Sequence, residues 1–283
     1  MSTAMDFALN QKTVSGLGFP AFLDLAAELG CVGVEPRNDL GRPFFDGLPP
    51  ARAAAMARER GLRLLGLSEV YGFDDWTPGR RDAVAALIEA ADAAGAETIS
   101  LIPRVDRRDP DAGARARNLR EVVAAIAPML AGTAVTALLE PIGFAECSMK
   151  FQREAVAAIE DLGLGERFGI VHDTFQHALA ADGDYLVAHV RMVHISGVAG
   201  TGALTDGEDA ARGLLDEGDR TGAVEQIRRL IAAGYRGPFS FECTDPGIRE
   251  RRDPKAPIAG SIAYLRRTIS GADTLTGSSA ARL

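Results

Sequence analysis

The sequence predicts an α/β protein folded as a single closed (β/α)₈ barrel, the TIM barrel. From residue 5 to about residue 269, short β-rich runs alternate with amphipathic helical stretches, the pattern of repeated βα units around a parallel sheet. Eight such units occupy roughly 250 residues, the usual length of this barrel. A doubly wound open sheet is less favoured, because no G-x-G-x-x-G motif follows the first strand and no P-loop motif occurs.

The predicted strands are short apolar runs. In chain order they are MDFALN (5–10), CVGVE (31–35), LRLLGLS (62–68), ETISLIP (97–103), VTALLE (135–140), RFGIVHD (167–173), VRMVHIS (190–196) and PFSFE (238–242). Helical periodicity fills most of the segments between them, and several of these segments end at Gly, the usual residue of a left-handed C-cap. The barrel is predicted over residues 1–270, followed by a small, polar tail at 271–283.

The composition is that of a globular domain able to bury a full core, with 47% hydrophobic and 25% charged residues. A net charge of −8 argues against a nucleic-acid partner, since binding to a phosphate backbone relies on clustered Lys and Arg. The N-terminal stretch lacks a signal-peptide pattern, and no apolar run approaches the length of a membrane span. We therefore expect a cytoplasmic protein with no membrane partner; whether it forms a homo-oligomer stays open.

The cysteines suggest neither a disulfide framework nor a thiolate zinc site. Cys31, Cys147 and Cys243 are odd in number and show no C-x-x-C spacing, so we expect reduced thiols. Cys243 directly follows Glu242, and alternation along a strand turns its side chain to the opposite face. A packed thiol is expected there.

Four polar residues stand at or just past the C-terminal ends of apolar runs. They are Glu140 in TALLE, Asp173 in GIVHD, His194 in RMVHIS and Glu242 in PFSFE. In a barrel of parallel strands these ends converge on one mouth, the face on which this fold builds its active sites. Three carboxylates and one imidazole on rigid strands predict a site for a divalent metal ion such as Mn²⁺, Co²⁺ or Mg²⁺.

Each of the four residues also has an ordinary structural explanation. Glu140 can pair with an Arg or Lys across the mouth, and Asp173 can cap the helix that follows it. A lone histidine such as His194 is more often a satisfied core residue. Glu242, flanked by apolar residues, is the hardest to explain without a cation. The coincidence of all four at one end of their strands favours the metal site.

With these strand endings the sequence resembles the xylose-isomerase-like barrels, a family that includes sugar-phosphate isomerases and epimerases, ketose 3-epimerases, hydroxypyruvate isomerase and inosose isomerases. LLEP, VHDTFQH, VHISG and GPFSFE match, in order and roughly in spacing, the Glu, Asp, His and Glu that hold the metal in that family. GCVGVEPRND and AAGYRGPFSFE resemble its inositol-catabolic branch. The resemblance covers nearly the whole chain, and it specifies the superfamily better than the substrate.

The resemblance implies further substrate-binding residues. Ketose-epimerase relatives have a second Glu six positions after the first metal ligand, which corresponds to Glu146 here. Relatives commonly have a His three positions after the metal-bound Asp, whereas this chain has Gln176 there and His177 next. Either Gln176 takes over a hydrogen bond to a sugar hydroxyl or His177 turns into the site.

Other polar and aromatic residues are expected near the same mouth, because the long loops at 36–48, 69–77, 103–112 and 196–220 all follow strand ends. Arg37 and Glu69 are candidates for binding hydroxyl groups, although a structural pair of Arg37 with a carboxylate is equally expected. Asn10 is a further candidate donor. Tyr71, Phe73 and Trp76 either wall a sugar ring or pack their loop down, and we assign His172 and His189 to packing or solvent.

Such a site supports proton abstraction next to a carbonyl through an enediolate. Glu140 and Glu242 are the expected catalytic bases, one removing the proton and the other returning it. The leading hypothesis is an isomerase or epimerase of a small-molecule polyol or sugar, most of all 2-keto-myo-inositol. A lyase, namely an inosose dehydratase or an enzyme that cleaves oxidised glycosides, is the alternative. An apurinic endonuclease is disfavoured by four histidines and the acidic charge, and a non-catalytic sugar-binding barrel would need no metal cluster.

Overall fold

The computed structural model describes residues 5–106, 108 and 111–270. It contains a sheet of nine strands in which every pairing is parallel. The strands are β1 Phe7–Asn10, β2 Gly33–Glu35, β3 Arg63–Leu64, β4 Gly66–Tyr71, β5 Thr98–Ile102, β6 Thr136–Leu139, β7 Phe168–Asp173, β8 Val190–Ile195 and β9 Phe239–Phe241. The predicted tail at 271–283 lies outside the described residues.

The sheet is a nearly closed barrel, which confirms the predicted fold. Its strand order is β3-β2-β1-β9-β8-β7-β6-β5-β4, and the two end strands are separated in the chain by Leu65 alone. Leu65 N donates to Val34 O at 2.9 Å, which continues the contact with β2. One boundary is corrected: the third predicted strand is split in two and runs on to Tyr71. Glu69 and Tyr71 therefore lie within β4 and not in a loop that begins at residue 69.

Nine α-helices lie within the described ranges. They are α1 Phe19–Glu28, α2 Pro50–Glu59, α3 Pro78–Ala94, α4 Ala112–Ile126, α5 Gln152–Asp161, α6 Thr174–Ala180, α7 Ala223–Ala232, α8 Pro246–Arg249 and α9 Lys255–Ser270. Gly95 ends α3 in the left-handed conformation, with φ of 65°, which matches the glycine C-cap expected there. Of the helices described, none is both long and apolar enough to cross a membrane.

The barrel interior holds a small apolar cluster separate from the large core. Its members are Ala8, Leu65, Leu138, Val171 and Met192. All but Leu65 lie two positions before a buried polar residue, in turn Asn10, Glu140, Asp173 and His194. Alternate residues of a strand face the same side. The inward-facing residues of each of these strands therefore change from apolar to polar towards the C-terminal end of the strand.

The three cysteines are free and buried. Cys243 is 0% exposed, and its Sγ lies 3.2 Å from the carbonyl oxygen of Gly213. It is therefore a packed thiol next to the polar mouth.

Candidate metal centre

The structure brings the four residues of the predicted metal site together. Glu140 directly follows β6, Asp173 ends β7, His194 lies in β8 and Glu242 directly follows β9. One candidate ligand atom from each lies within 4.8 Å of the other three. All four side chains are buried, the most exposed residue being Glu242 at 5%. Their four strands are consecutive neighbours in the sheet, which explains why the strand ends converge.

His194 presents one ring nitrogen to the carboxylates. Its Nε2 is hydrogen-bonded to Glu35 Oε2 at 3.1 Å, on the side away from the cluster. Its Nδ1 lies 3.3 Å from Glu242 Oε2 and 3.8 Å from Glu140 Oε1. Among the described residues this buried Nδ1 has no hydrogen-bond partner. Nδ1 is therefore the atom of His194 that is available to a ligand.

Two buried arginines and one amide also contact the cluster. Arg212 Nη1 lies 2.7 Å from Asp173 Oδ2, and its Nη2 lies 3.4 Å from Glu242 Oε2. Arg37 Nη1 lies 2.8 Å from Glu242 Oε1, to which Asn10 Nδ2 also donates at 3.3 Å. Both guanidinium groups thus offset part of the negative charge, and Glu242 is the most tightly held of the carboxylates.

Asp173 has two roles in the structure. Its Oδ1 accepts hydrogen bonds from the backbone N–H groups of Phe175 at 2.8 Å and Gln176 at 2.9 Å, and so caps α6. Its Oδ2 faces Arg212 and the cluster. The helix cap and the place in the cluster, which the sequence offered as alternatives, are therefore combined in one side chain.

Burial and mutual charge shift the pKa of each group in the cluster. Burial raises the pKa of Glu140 to about 7 and also raises that of Asp173. For Glu242, burial acts upward, but His194, Arg212 and Arg37 outweigh it and hold the pKa well below its usual value. For His194, burial acts downward, but Glu242, Glu35 and Glu140 hold the pKa well above its usual value. The raised pKa values of Glu140 and His194 both oppose the accumulation of negative charge in the cluster.

The donor set fits a divalent cation. Three carboxylates supply the oxygen ligands that Mn²⁺ and Mg²⁺ favour, and one imidazole suits Mn²⁺, Co²⁺ or Zn²⁺. The unpartnered Nδ1 of His194 gives independent support, because buried polar atoms in proteins are normally satisfied. A bound cation would also supply positive charge to balance the three carboxylates.

A cavity of about 150 Å³ opens at the mouth of the barrel over Glu140 and Glu242. Part of its lining is charged or polar and includes Lys12, Arg37, Glu69, Gln176, Asp209 and Arg212. Another part is largely apolar and includes Tyr71, Ile102, Val105, Ile142 and Phe144. A small molecule that bears both hydroxyl groups and C–H faces fits this division.

Arg37 and Glu69 form the ion pair that the sequence offered as one alternative. Arg37 Nη2 lies 2.6 Å from Glu69 Oε2, and Arg37 Nε lies 2.7 Å from Asp39 Oδ1. Glu69 is the extra residue where the pairing of β4 with β5 shifts register between Ser68 and Val70. Bulges of this kind re-aim a side chain, here towards Arg37. Both residues also line the cavity, so the pair does not remove them from reach of a substrate.

Gln176 and His177 point to different parts of the molecule. Gln176 lines the cavity, where its Oε1 accepts from Gly143 N at 3.0 Å and its Nε2 donates to Asp209 Oδ1 at 2.9 Å. His177 instead packs its ring against His172, with centroids 4.5 Å apart, on the helix side of β7. Of the two residues that the sequence offered as alternatives, Gln176 is therefore the one that lines the cavity. Glu146 lies half-buried in the segment after β6, outside the described lining of the cavity.

The remaining candidates are divided between the mouth and the core. Tyr71, 49% exposed, lines the cavity, whereas Phe73 is fully buried and Trp76 packs against the core. Asn10 is buried at the mouth, where it contacts Glu242. His172 is buried away from the mouth, and His189 is a partly exposed partner of Glu160, at 3.0 Å.

Sequence reasoning missed Glu35 and Arg212. Glu35 carried a readable signal, because VEP at the end of β2 repeats the pattern of LEP at Glu140: a carboxylate that ends an apolar strand before Pro. Arg212 carried none, since it stands in a long irregular segment whose path no local pattern predicts. Both are at most 5% exposed and contact the cluster directly.

A larger cleft of about 370 Å³ lies at the opposite end of the barrel. Its lining includes Thr98 and Thr136, the first residues of β5 and β6, together with Arg191. Catalytic sites of this fold lie at the C-terminal ends of the strands, and this cleft lies at their N-terminal ends. The smaller cavity over the buried carboxylates is therefore the better candidate site.

The sequence matches the family model of the xylose isomerase-like TIM barrels over residues 23–268. The chain belongs to this family, which confirms the resemblance drawn from its strand endings. The comparison with curated proteins gives no match.

Solved structures with the same fold include epimerases and proteins with a xylose isomerase domain. A xylose isomerase domain containing protein from Salmonella typhimurium LT2 is 26% identical, with a TM-score of 0.82 over 95% of this chain and 98% of that one. The IolI protein, solved with a zinc atom, is 14% identical, with a TM-score of 0.81 over 95% of this chain and 99% of that one. An L-ribulose 3-epimerase is 17% identical, with a TM-score of 0.70 over 98% of this chain and 99% of that one.

Proposed function

We propose that this protein is a divalent-metal-dependent isomerase or epimerase of a ketose or keto-polyol, with 2-keto-myo-inositol as the first candidate substrate. The observation that carries the proposal is the convergence of Glu140, Asp173, Glu242 and the unpartnered Nδ1 of His194 within 4.8 Å beneath an open cavity. Membership of the xylose isomerase-like family supports the reaction class, and the L-ribulose 3-epimerase among the structural neighbours agrees with it.

Glu140, Asp173, His194 and Glu242 are the residues that would hold the metal. When bound, a divalent ion supplies Lewis-acid stabilisation of the negative charge that develops on a carbonyl oxygen. The IolI protein, which has the same fold, was solved with a zinc atom, and this supports metal binding in the present chain. We propose Mn²⁺, Co²⁺ or Mg²⁺ for this chain, because three of its four ligands are carboxylates.

Glu140 and Glu242 are placed to move the proton. They follow β6 and β9, and the strands that carry Asp173 and His194 lie between them. A substrate in the cavity therefore meets one glutamate from each side. One carboxylate removes the proton next to the carbonyl, and the other returns it. Return to the same carbon is epimerisation, and return to the neighbouring carbon is isomerisation.

The walls of the cavity orient the substrate and limit the access of water. Arg37, Arg212 and Gln176 bring N–H donors to the polar part of the lining, where they can bind hydroxyl or carbonyl oxygens. Ile102 and Ile142, each 7% exposed, belong to the apolar part of the lining. Apolar side chains exclude water from a carbanion-like intermediate that water would otherwise quench.

Metal removal tests the dependence on a cation. Purified protein is treated with a chelator, verified as metal-free by elemental analysis, and assayed with and without added Mn²⁺, Co²⁺ or Mg²⁺ on a panel of inososes and ketoses. We expect no turnover in the metal-free protein and recovery on addition of metal. Full activity in a verified metal-free sample would refute the proposal.

Product analysis in D₂O tests the reaction type. Proton abstraction followed by return from solvent-exchanged carboxylates places deuterium at a carbon next to the carbonyl, which proton and carbon NMR detect. We expect this label in 2-keto-myo-inositol or a related ketose, without loss of water. A dehydrated or unsaturated product would place the protein with the lyases, and the lack of exchange on every inosose and ketose would exclude this substrate class.

A further inference from the structure

A further buried carboxylate, Glu35, lies behind the metal-binding cluster. It is the last residue of β2 and is 1% exposed. Its Oε2 is hydrogen-bonded to His194 Nε2 at 3.1 Å, and its Oε1 accepts a hydrogen bond from Ser240 Oγ. Ser240 and His194 are both 0% exposed. Each oxygen of Glu35 thus has a buried partner, and one of these partners is a predicted metal ligand.

The contact between Glu35 and His194 crosses the interior of the barrel. Ser240 on β9 is the register partner of His194 on β8, whereas β1 separates β2 from β9. Gly66 on β4 borders this carboxylate, since a Cβ at this position would lie 3.6 Å from Glu35 Oε2, an ordinary van der Waals distance. Three strands and one glycine therefore shape the surroundings of this carboxylate.

The chemistry of a carboxylate decides which nitrogen of His194 carries the proton. An ionised carboxylate only accepts hydrogen bonds, so the bond to Glu35 requires N–H at Nε2. A neutral imidazole has one N–H, and Nδ1 then carries the free lone pair. Nδ1 is the nitrogen that faces Glu242 Oε2 at 3.3 Å and Glu140 Oε1 at 3.8 Å. The bond on one side of the ring thereby prepares the other side to bind a cation.

We propose that Glu35, itself held by Ser240, is a positioning residue that keeps His194 in the orientation and tautomer in which Nδ1 binds a divalent cation. This inference rests on the proposed metal-dependent function. Glu35 is not among the residues that line the cavity, so it acts on the metal site only through His194. Its contribution is therefore measured as metal affinity, separately from turnover.

The test compares metal affinities of matched variants. Glu35→Gln keeps the size of the side chain but replaces an oxygen by an NH₂ group, which can donate to His194 Nε2 and so favour the wrong tautomer. We expect the affinity for Mn²⁺ or Co²⁺, measured by titration calorimetry on metal-free protein, to fall about 10- to 100-fold. The control Glu97→Gln removes an exposed carboxylate paired with Arg63 at 2.6 Å, and it should bind like the unchanged protein.

Ser240→Ala supplies a milder test on the same carboxylate. It removes one hydrogen bond to Glu35 but leaves the contact with His194, so we expect a loss of about fivefold in affinity. The absorption spectrum of the Co²⁺-loaded protein gives a second readout, because its bands respond to the ligands and their geometry. The spectrum should change in Glu35→Gln and stay the same in Glu97→Gln.

The outcomes separate this inference from the proposed function. If the unchanged protein binds neither Mn²⁺ nor Co²⁺, the metal-dependent function itself fails. If the unchanged protein binds metal and Glu35→Gln binds it equally well, only the positioning role of Glu35 is overturned. If Glu35→Gln does not fold, Ser240→Ala provides the test instead. Unchanged metal affinity and an unchanged Co²⁺ spectrum in that variant would overturn the positioning role of Glu35.

Discussion

His172 and His194 are both buried and lie on neighbouring strands, yet their surroundings differ in kind. His194 Nε2 bonds to the carboxylate of Glu35, and its Nδ1 faces two more carboxylates. His172 lies between two neutral amides, with Nδ1 2.6 Å from Gln152 Nε2 and Nε2 2.9 Å from Gln226 Oε1. The sequence contexts MVHI at His194 and IVHD at His172 give no hint of this difference, because each histidine simply follows a valine in an apolar strand.

The pKa values of the two histidines follow their neighbours. Burial lowers the pKa of His172 to about 3, and nearby His177 acts in the same direction. Burial acts downward on His194 as well, but the carboxylates around it hold its pKa well above the usual value. Both rings are buried, yet burial favours a neutral, structural imidazole at His172, whereas the surrounding carboxylates favour a positive charge on His194.

The direction of each side chain explains the difference. In the pairing of β7 with β8, Asp173 is the partner of His194, and His172 is the partner of Val193. Partners in a sheet share a face, so His194 joins Asp173 inside the barrel, whereas His172 turns towards the helices. His172 lies one position before Asp173 in β7, and this offset of one residue places it on the opposite face of the sheet from His194. The comparison predicts that substitutions at the two positions have separable effects.

The largest effect is expected from the two glutamates on the His194 side. Glu140→Gln and Glu242→Gln each remove a proposed base and weaken a metal ligand, so turnover should fall about 10²- to 10⁴-fold or more. Initial rates at saturating metal, with circular dichroism to verify the fold, measure this. Glu97→Gln, which changes an exposed carboxylate at the other end of the barrel, is the matched control. Near-normal turnover in either variant with metal bound would rule out the two-base mechanism.

The second largest effect is expected at His194 itself. His194→Asn removes the nitrogen ligand, and because a supporting partner alone is worth about 10- to 100-fold in metal affinity, the loss should exceed 100-fold. His172→Asn is the matched variant on the neighbouring strand and should keep the affinity of the unchanged protein. Titration calorimetry with Mn²⁺ and Co²⁺ measures both. Equal losses in the two variants would mean that the distinction between the two faces is mistaken.

A smaller effect, on stability alone, is expected when His172 is truncated. His172→Ala leaves the buried amides of Gln152 and Gln226 without their partner, which should lower the free energy of unfolding by about 1–3 kcal/mol. Gln226 still donates to the carbonyl oxygens of Thr174 and Thr221, so the fold should persist. Urea denaturation of metal-free protein gives the value. A loss of metal affinity without a loss of stability would contradict the structural role.

Much of the candidate site could be predicted because a parallel barrel converts position along a strand into position in space. Glu140, Asp173, His194 and Glu242 each stand at a strand end, and the fold alone brings such ends to one mouth. The same rule applied to VEP would have found Glu35. The interior cluster could be placed by the same alternation.

The parts that could not be predicted depend on irregular or distant segments. Arg212 reaches Asp173 from a stretch with no regular periodicity, 39 positions along the chain. The bulge that re-aims Glu69 depends on the register between β4 and β5, which a single strand does not encode. The amides around His172 come from α5 and α7, and their meeting requires the packed helices around the barrel. Local pattern reading therefore identifies ligands on strands better than partners on loops and helices.

The smallest effect is expected from thiol reagents, which extend the comparison to a third kind of buried titratable group. Cys31 and Cys147 are each 7% exposed, and burial raises the pKa of both thiols to about 12. Because the thiolate is the reactive form, their thiolate fraction at pH 8 should be about 10³-fold below that of an exposed cysteine. We expect no rapid colour with an aromatic disulfide reagent in the native protein, unchanged metal affinity after the incubation, and reaction of all three thiols once urea unfolds the chain. A thiol that reacts at once in the folded protein at pH 8 would show that a cysteine is open to solvent. That side chain could then no longer be described as buried, and the comparison of buried titratable groups would rest on His172 and His194 alone.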